Sequence, residues 1–128
     1  MHAHTPNESV HALDGAELAA PGIRFFTLWD GDTALAMGAL RPHGPDAGEL
    51  KSMHVVAEAR GRGAGAAMLR HLIATARQIG LTRLYLETGS GAEFLPARRL
   101  YASHGFAECG PYGAYDPDPN STFMTRTL

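Results

Sequence analysis

The chain has 128 residues, enough for one domain with a sizeable core and too few for two. A net charge of −2 offers no basic surface for nucleic acid or anionic membrane, and no apolar run approaches the roughly 20 residues of a membrane span. The single cysteine, Cys109, excludes an internal disulfide. We therefore expect a cytoplasmic protein with an unreactive thiol.

The first 22 residues form a poorly defined amino-terminal segment. Glu17–Ala20 is compatible with the end of a short helix, because Pro21-Gly22 would break it. The histidines His2, His4 and His11 are the only hint of a metal site. We expect them to be solvated and no metal to be bound.

Three strand-like stretches follow. Ile23–Trp29 and Thr33–Arg41 flank the turn Asp30-Gly31-Asp32, a pattern that predicts a hairpin. After a loop rich in Pro and Gly, Pro42–Gly48, the stretch Glu49–Val56 ends in a β-branched pair and predicts a third strand. Three consecutive strands predict an antiparallel meander.

A glycine-arginine turn follows the third strand. Gly61, Gly63 and Gly65 stand at every second place, beside Arg60 and Arg62. A helical face then begins, with apolar residues at Met68, Leu69, Leu72, Ile73 and Ala76. Glycines allow close approach of the backbone, and a helix N-terminus with two arginines favours anions. The pattern predicts a diphosphate site.

Two other classes of glycine-rich loop are alternative interpretations of this pattern. A P-loop needs Lys followed by Ser or Thr, whereas Gly65 is followed by alanine. The dinucleotide fingerprint G-x-G-x-x-A fits Gly61, Gly63 and Ala66, with Glu87 as its ribose-binding acid. A doubly wound domain, however, needs more βαβ units than the residues after Glu87 can hold. Dinucleotide binding therefore stays open as the less favoured alternative.

The rest of the chain predicts a mixed sheet. The helix that begins near Gly63 runs to Ile79 and stops at Gly80, and a strand over Leu81–Glu87 then lies parallel to the third strand. The remaining predicted elements are a helix over Pro96–His104 and closing strands over Phe106–Cys109 and Ser121–Thr127. The predicted class is α+β, an antiparallel meander followed by a parallel βαβ core.

Two segments resemble the GNAT N-acetyltransferase superfamily. Arg60–Gly65 reads R-x-x-G-x-G, which resembles its acyl-CoA pyrophosphate loop, and Ala97–Phe106 resembles its A-x-x-L-Y-x-x-x-G-F segment. Glu49 stands eleven residues before Arg60, where some members carry a general-base glutamate. The similarity covers roughly Ile23 to Leu128.

This resemblance implies one GNAT-like domain over residues 1–128, with splayed central strands. It implies acetyl-CoA as the cosubstrate, no metal, and a primary amine of a small molecule or peptide as the acceptor. The cofactor-binding residues that it implies are Val55, Val56, Arg60, Gly61, Arg62, Gly63, Ala64, Gly65 and Ala66.

The resemblance also assigns catalytic roles. The backbone N–H of Val55 would polarise the thioester carbonyl, and Tyr101 would protonate the leaving thiolate. Glu49 is the first choice of base for the amine because of its spacing to Arg60, and Glu87 is the second because it ends the facing strand. The alternatives are that Glu49 is a solvent-facing strand residue and that Tyr101 is an aromatic core residue with a hydrogen-bonded hydroxyl.

Two departures from the family are visible. Members usually carry a further strand and one or two helices before the hairpin, so we expect truncated amino-terminal elements with no clear first strand. The edge of Ile23–Trp29 would then be exposed, and a homodimer would cover it. Phe94 stands where many members place an asparagine. The acceptor is not identified, and a non-catalytic acyl-CoA-binding module is the alternative function.

Overall fold

The computed structural model describes residues 8–12 and 22–128. Its seven strands are β1 (Glu8–Ala12), β2 (Arg24–Asp30), β3 (Thr33–Pro42), β4 (Ala47–Val55), β5 (Arg83–Gly89), β6 (Ala107–Cys109) and β7 (Ser121–Thr127). Its two α-helices are α1 (Ala64–Gln78) and α2 (Leu95–Ser103), and each follows a short 3₁₀ turn, Ala57–Ala59 and Ala92–Phe94. In this described part of the chain, neither helix is long and apolar enough to cross a membrane.

The strands form one mixed sheet in the order β1-β2-β3-β4-β5-β7-β6. The pair β4–β5 is parallel and all the other pairs are antiparallel. Helix α1 connects β4 to β5, as a parallel pair requires. The predicted α+β class, with a meander followed by a parallel βαβ core, is confirmed.

The expectation of a missing first strand is wrong. Strand β1 pairs antiparallel with β2, from Glu8 opposite Asp30 to Ala12 opposite Phe26. Strand β2 therefore has a neighbour on both sides, and the exposed edge that led us to expect a homodimer does not exist. The sequence signal was weak because β1 has only five residues. The helix end expected at Glu17–Ala20 lies outside the described residues, as do His2 and His4.

Most predicted boundaries lie within two residues of the observed ones. The largest changes are around the loop between β3 and β4, which shrinks to residues 43–46 because Pro42 and Gly48 already pair across the two strands. Strand β5 begins at Arg83 and continues to Gly89, where Gly89 pairs with Ser121 of β7. The ends of these strands are set by pairing with neighbouring strands, and local composition does not reveal that pairing.

Both helices belong to one hydrophobic core with one face of the sheet. The largest fully buried side chains are Leu28, Met68, Leu69, Leu72, Leu84 and Leu86. Because side chains alternate along a strand, Tyr85 and Glu87 lie on the opposite face from Leu84 and Leu86. The sheet therefore has a helix-covered face and a second face, which carries polar residues of β4 and β5.

The predicted stop of α1 at Gly80 is confirmed. Gly80 has φ +89° and its N–H donates to the Arg77 carbonyl at 3.1 Å, while Leu81 N–H donates to the Ala76 carbonyl at 3.0 Å. These two bonds form a Schellman motif, which satisfies carbonyls that the helix leaves open.

Candidate active site

The parallel strands β4 and β5 separate partway along their length. Their pairing runs from Ala47 opposite Arg83 to Leu50 opposite Leu86 and stops there. Beyond that point β4 stays paired with β3 as far as Val55, and β5 stays paired with β7 as far as Gly89. Ser52 in β4 has φ +57°, a left-handed conformation that is uncommon for serine. The predicted splay of the central strands is therefore present, and it opens directly after Leu50.

A cavity of about 480 Å³ occupies this opening; we call it cavity A. Residues 49–53 of β4, residues 86–89 of β5 and two side chains of α2 line most of it. Glu49, Glu87 and Tyr101, the three residues to which the sequence assigned proton transfer, all line it. Val55 and Val56 lie beyond its lining.

Backbone amides of β4 face the opening on its β5 side. Val56 N–H donates to the Leu35 carbonyl of β3 at 2.9 Å, so that amide is already engaged. Because amides alternate in direction along a regular strand, that of Val55 points away from β3; the register shift opposite Gly38 interrupts this alternation at Ser52 and Met53. Met53 lines cavity A, and sequence reasoning missed it because the position of the opening has no local sequence signal.

Tyr101 lies in α2 and is buried, with 7% of its surface exposed. Its ring packs edge-on against Phe106 at 6.0 Å between ring centres. It belongs to the hydrophobic core, as the core alternative expects, but its hydroxyl makes no hydrogen bond to any described residue. Burial raises the pKa of Tyr101 to about 12, so the phenol stays protonated at neutral pH.

Glu49 is buried, with 3% of its surface exposed, and it is therefore not a solvent-facing strand residue. Its Oε2 accepts hydrogen bonds from the hydroxyls of Tyr112 at 2.8 Å and Tyr115 at 2.7 Å. Two cations approach the carboxylate, with Arg41 Nη1 at 3.8 Å from Oε1 and Lys51 Nζ at 3.9 Å from Oε2. We call these five residues the Glu49 cluster.

The two tyrosines come from the segment between β6 and β7, which crosses the second face of the sheet. Burial, together with the hydrogen bond and the charge of Glu49, raises the pKa of both Tyr112 and Tyr115. Lys51 Nζ donates to the Tyr115 hydroxyl at 3.1 Å, and this bond raises the pKa of Lys51. Sequence reasoning missed these partners because 63 and 66 residues separate the two tyrosines from Glu49.

Glu87 is the more accessible carboxylate of cavity A. It is exposed, and its Oε2 accepts one hydrogen bond, from Ser121 Oγ at 2.6 Å. A proton can therefore reach Glu87 from solvent more easily than it can reach Glu49.

The turn before α1 has open backbone donors. Gly61 and Gly63 both have φ +79°, and the first bond of the helix runs from Ala67 N–H to the Gly63 carbonyl at 3.0 Å. The amides of Ala64, Gly65 and Ala66 therefore have no acceptor within the helix. A side chain at Gly65 would begin 3.3 Å from atoms of Leu100 and Val55, so the backbone there is closely packed.

The two arginines of this turn differ in their surroundings. Arg60 is exposed, whereas Arg62 Nη2 lies 3.2 Å from Asp30 Oδ2. Open amides, glycine and an exposed arginine together fit the diphosphate of an acyl-CoA. In the part of the chain that the structure describes, no three His, Cys, Asp or Glu side chains gather to hold a metal ion.

A splayed parallel pair beside a glycine-rich helix N-terminus is the architecture of an acyl-CoA-dependent acyltransferase. Residues 2–106 match the model of the Acetyltransferase (GNAT) family, and the chain belongs to this family. Its activity is that of an N-acetyltransferase, with acetyl-CoA as the cosubstrate. The dinucleotide-binding alternative is wrong, because only one strand pair among the described residues, β4–β5, is parallel.

Relatives agree with this assignment. An uncharacterized N-acetyltransferase of Bacillus subtilis (strain 168), YsnE, is 45% identical over 100% of this chain and 85% of its own length. An IAA acetyltransferase of Azospirillum brasilense is 41% identical over 96% of this chain and 80% of its own length. A GNAT family acetyltransferase from Elizabethkingia anophelis, solved with acetyl-CoA bound, has the same fold. Its TM-score is 0.77 at 16% identity, over 97% of this chain and 100% of that chain.

Proposed function

We propose that the protein transfers the acetyl group of acetyl-CoA directly to a primary amine in cavity A. The observation that carries this proposal is the opening between β4 and β5. It brings free backbone amides, a buried phenol and two carboxylates to one cavity. Direct transfer needs these groups in one place: a donor for the carbonyl, an acceptor for the amine's proton and a donor for the sulfur.

The cosubstrate would extend from the turn into the opening. The amides of Ala64, Gly65 and Ala66, with Arg60, would hold the diphosphate, and the pantetheine arm would lie along the open side of β4. The amide of Met53 is better situated for the thioester carbonyl than that of Val55, because Met53 lines cavity A. Val55 N–H would then serve a pantetheine amide, and Val56 N–H, bonded to Leu35, would serve neither.

In the proposed reaction the amine nitrogen forms a bond to the carbonyl carbon, and the carbon–sulfur bond breaks. An alkyl ammonium has a pKa near ~10, so a base must first take its proton. Glu49 would do so through a water, and Glu87 is the alternative. The departing thiolate would receive a proton from Tyr101.

The pKa of Tyr101 determines how far its proton can shift toward the sulfur in the transition state. With a phenol pKa of about 12 and a parent thiol near ~8.5, full transfer is uphill by roughly 5 kcal/mol. Tyr101 therefore stabilises the developing thiolate by a hydrogen bond. Its proton passes to sulfur as the product leaves, and the phenolate then takes a proton from solvent. This role needs a hydroxyl without another partner.

A panel of primary amines tests the function. Acetyl-CoA is incubated with the protein and each amine, and release of free CoA thiol is followed against amine-free controls. Turnover with at least one amine is expected. Thermal stabilisation by acetyl-CoA without thiol release from any amine would instead favour the non-catalytic acyl-CoA-binding module.

A further inference from the structure

A second cavity lies on the other side of Glu49, with a volume of about 310 Å³; we call it cavity B. It is lined by Arg41, Pro42, His43, Glu49, Gly113, Ala114 and Tyr115. Its walls are the end of β3 and the turn at residues 112–115, which Tyr115 N–H closes by donating to the Tyr112 carbonyl at 3.1 Å. None of the steps above uses it.

The two cavities meet at the Glu49 cluster. Glu49 lines both, Lys51 lines cavity A, and Tyr115 lines cavity B. Lys51 and Tyr115 are hydrogen-bonded to each other, so a single layer of side chains separates the cavities. A ligand that reacts in cavity A would therefore reach cavity B only by parting the hydrogen-bonded pair Lys51 and Tyr115.

Arg41 is the cation of cavity B. Its guanidinium makes no hydrogen bond to any described residue, and its side chain is 53% exposed. The 3.8 Å to Glu49 exceeds the roughly 2.7–2.9 Å of a charge-assisted hydrogen bond. The single carboxylate of the cluster also faces Lys51, so two cations share one anion. The Arg41 guanidinium can therefore donate hydrogen bonds to an anionic ligand and attract its negative charge.

We propose that cavity B binds a carboxylate of the acceptor through Arg41. The acceptor would then be an amine that carries a carboxylate at its other end. Met53 is four residues from Glu49 along β4, and Arg41 pairs with Glu49. At ~3.3 Å per strand residue, the reacting nitrogen and the carboxylate lie on the order of 10 Å apart. A short peptide of about three residues has this span.

This inference rests on the proposed function and specifies its acceptor. The competing explanation is that Arg41 only supports the charge of Glu49. In that case its loss would slow acetylation of every amine alike. The two explanations therefore differ in whether the effect depends on the acceptor's carboxylate.

Triglycine and triglycinamide form the matched pair of probes, since they differ only in the terminal carboxylate. We expect wild type to have a KM roughly tenfold lower for triglycine, the order of one charged hydrogen bond at a half-exposed site. In Arg41→Gln this preference disappears because KM rises for triglycine alone. Arg77→Gln, which removes an exposed arginine of α1, keeps the preference. Glycine itself, too short to span the cavities, is a poor acceptor.

Equal KM values for the two peptides in wild type would overturn the inference, as would an equal loss with both peptides in Arg41→Gln. If neither peptide is acetylated while another amine of the panel is, the inference fails and the proposed function stands. If no amine is acetylated, both fail. Every result thus decides for or against the carboxylate site.

Discussion

At the scale of single residues, the unbonded hydroxyl of Tyr101 allows catalysis and stability to be separated. Tyr101→Phe keeps the ring that packs on Phe106 and removes only the proton donor. Turnover should fall by on the order of 10²–10⁴, the usual contribution of a positioned acid. The melting temperature should stay within a few degrees of wild type, because no hydrogen bond to a described residue is lost. Unchanged turnover in the folded variant would end the acid assignment.

The raised pKa of Tyr101 also predicts a pH dependence of stability. Burial favours the neutral phenol in the folded state, so its contribution is fully present below the unfolded pKa near ~10. It is lost as the pH rises through the folded value of about 12. Tyr101→Phe should therefore lose less stability than wild type between these values, by roughly 2 kcal/mol. Urea unfolding of both proteins at pH 9 and pH 11.5, two rough bracketing conditions, measures this difference.

The two carboxylates of cavity A should respond differently to removal of their charge. Glu49→Gln disturbs one buried and one partly buried hydrogen bond and should cost about 1–3 kcal/mol of stability. Glu87→Gln, at an exposed site, should stay within about 0.5 kcal/mol of wild type. If Glu49 is the base, its variant is slowed most at pH values where the amine is protonated, and less as the pH rises. A pH–rate profile of this form in Glu87→Gln alone would transfer the role to Glu87.

At the scale of secondary-structure elements, the start of α1 offers a test of the diphosphate site. Ala66→Asp adds a negative charge next to open amides, where it favours the helix and repels a diphosphate. We expect an unchanged or higher melting temperature and a much smaller stabilisation by acetyl-CoA. Gly65→Asp is less informative, because a side chain there also meets Leu100 and Val55.

Ala74→Asp is the matched control for this change, since it adds the same charge on an exposed position of the same helix. It should keep the full stabilisation by acetyl-CoA. Equal loss of stabilisation in both variants would point to net charge and not to the diphosphate site.

Local sequence signals were sufficient for most elements. The glycines at 61 and 63, the apolar face of α1 and the stop at Gly80 are all encoded within a few residues of where they act. Strand β1 was missed because its five residues depend on pairing with β2. The separation of the central strands was predicted, but its position after Leu50 was not, because strand pairing sets that position.

At the scale of the whole molecule, the site depends on contacts between distant parts of the chain. Glu49 and Tyr101 could be proposed from spacing and resemblance, and both line cavity A. The Glu49 cluster could not, because Tyr112 and Tyr115 reach Glu49 only after the chain has crossed β5 and β6. A binding role for Arg41 likewise could not be predicted, because only the folded chain places a turn opposite Arg41 across cavity B.

Binding of acetyl-CoA should stabilise the whole domain. At a ligand concentration one hundred times the Kd, the gain is roughly 2.7 kcal/mol if only the folded state binds. Unfolding by denaturant, with and without acetyl-CoA, measures this gain, and NADH serves as the comparison ligand. Stabilisation by NADH and none by acetyl-CoA would contradict the cosubstrate assignment.

The separation of β4 from β5 gives one strand two kinds of amide proton. Along residues 53–56, the amide of Val56 is held by β3 and should exchange slowly with deuterated solvent. The amide of Val55 points away from β3 toward the opening and should exchange quickly in the free protein. A bound pantetheine arm would slow exchange at Val55 and leave Val56 unchanged, so hydrogen exchange would report the path of the cosubstrate along β4 without any substitution.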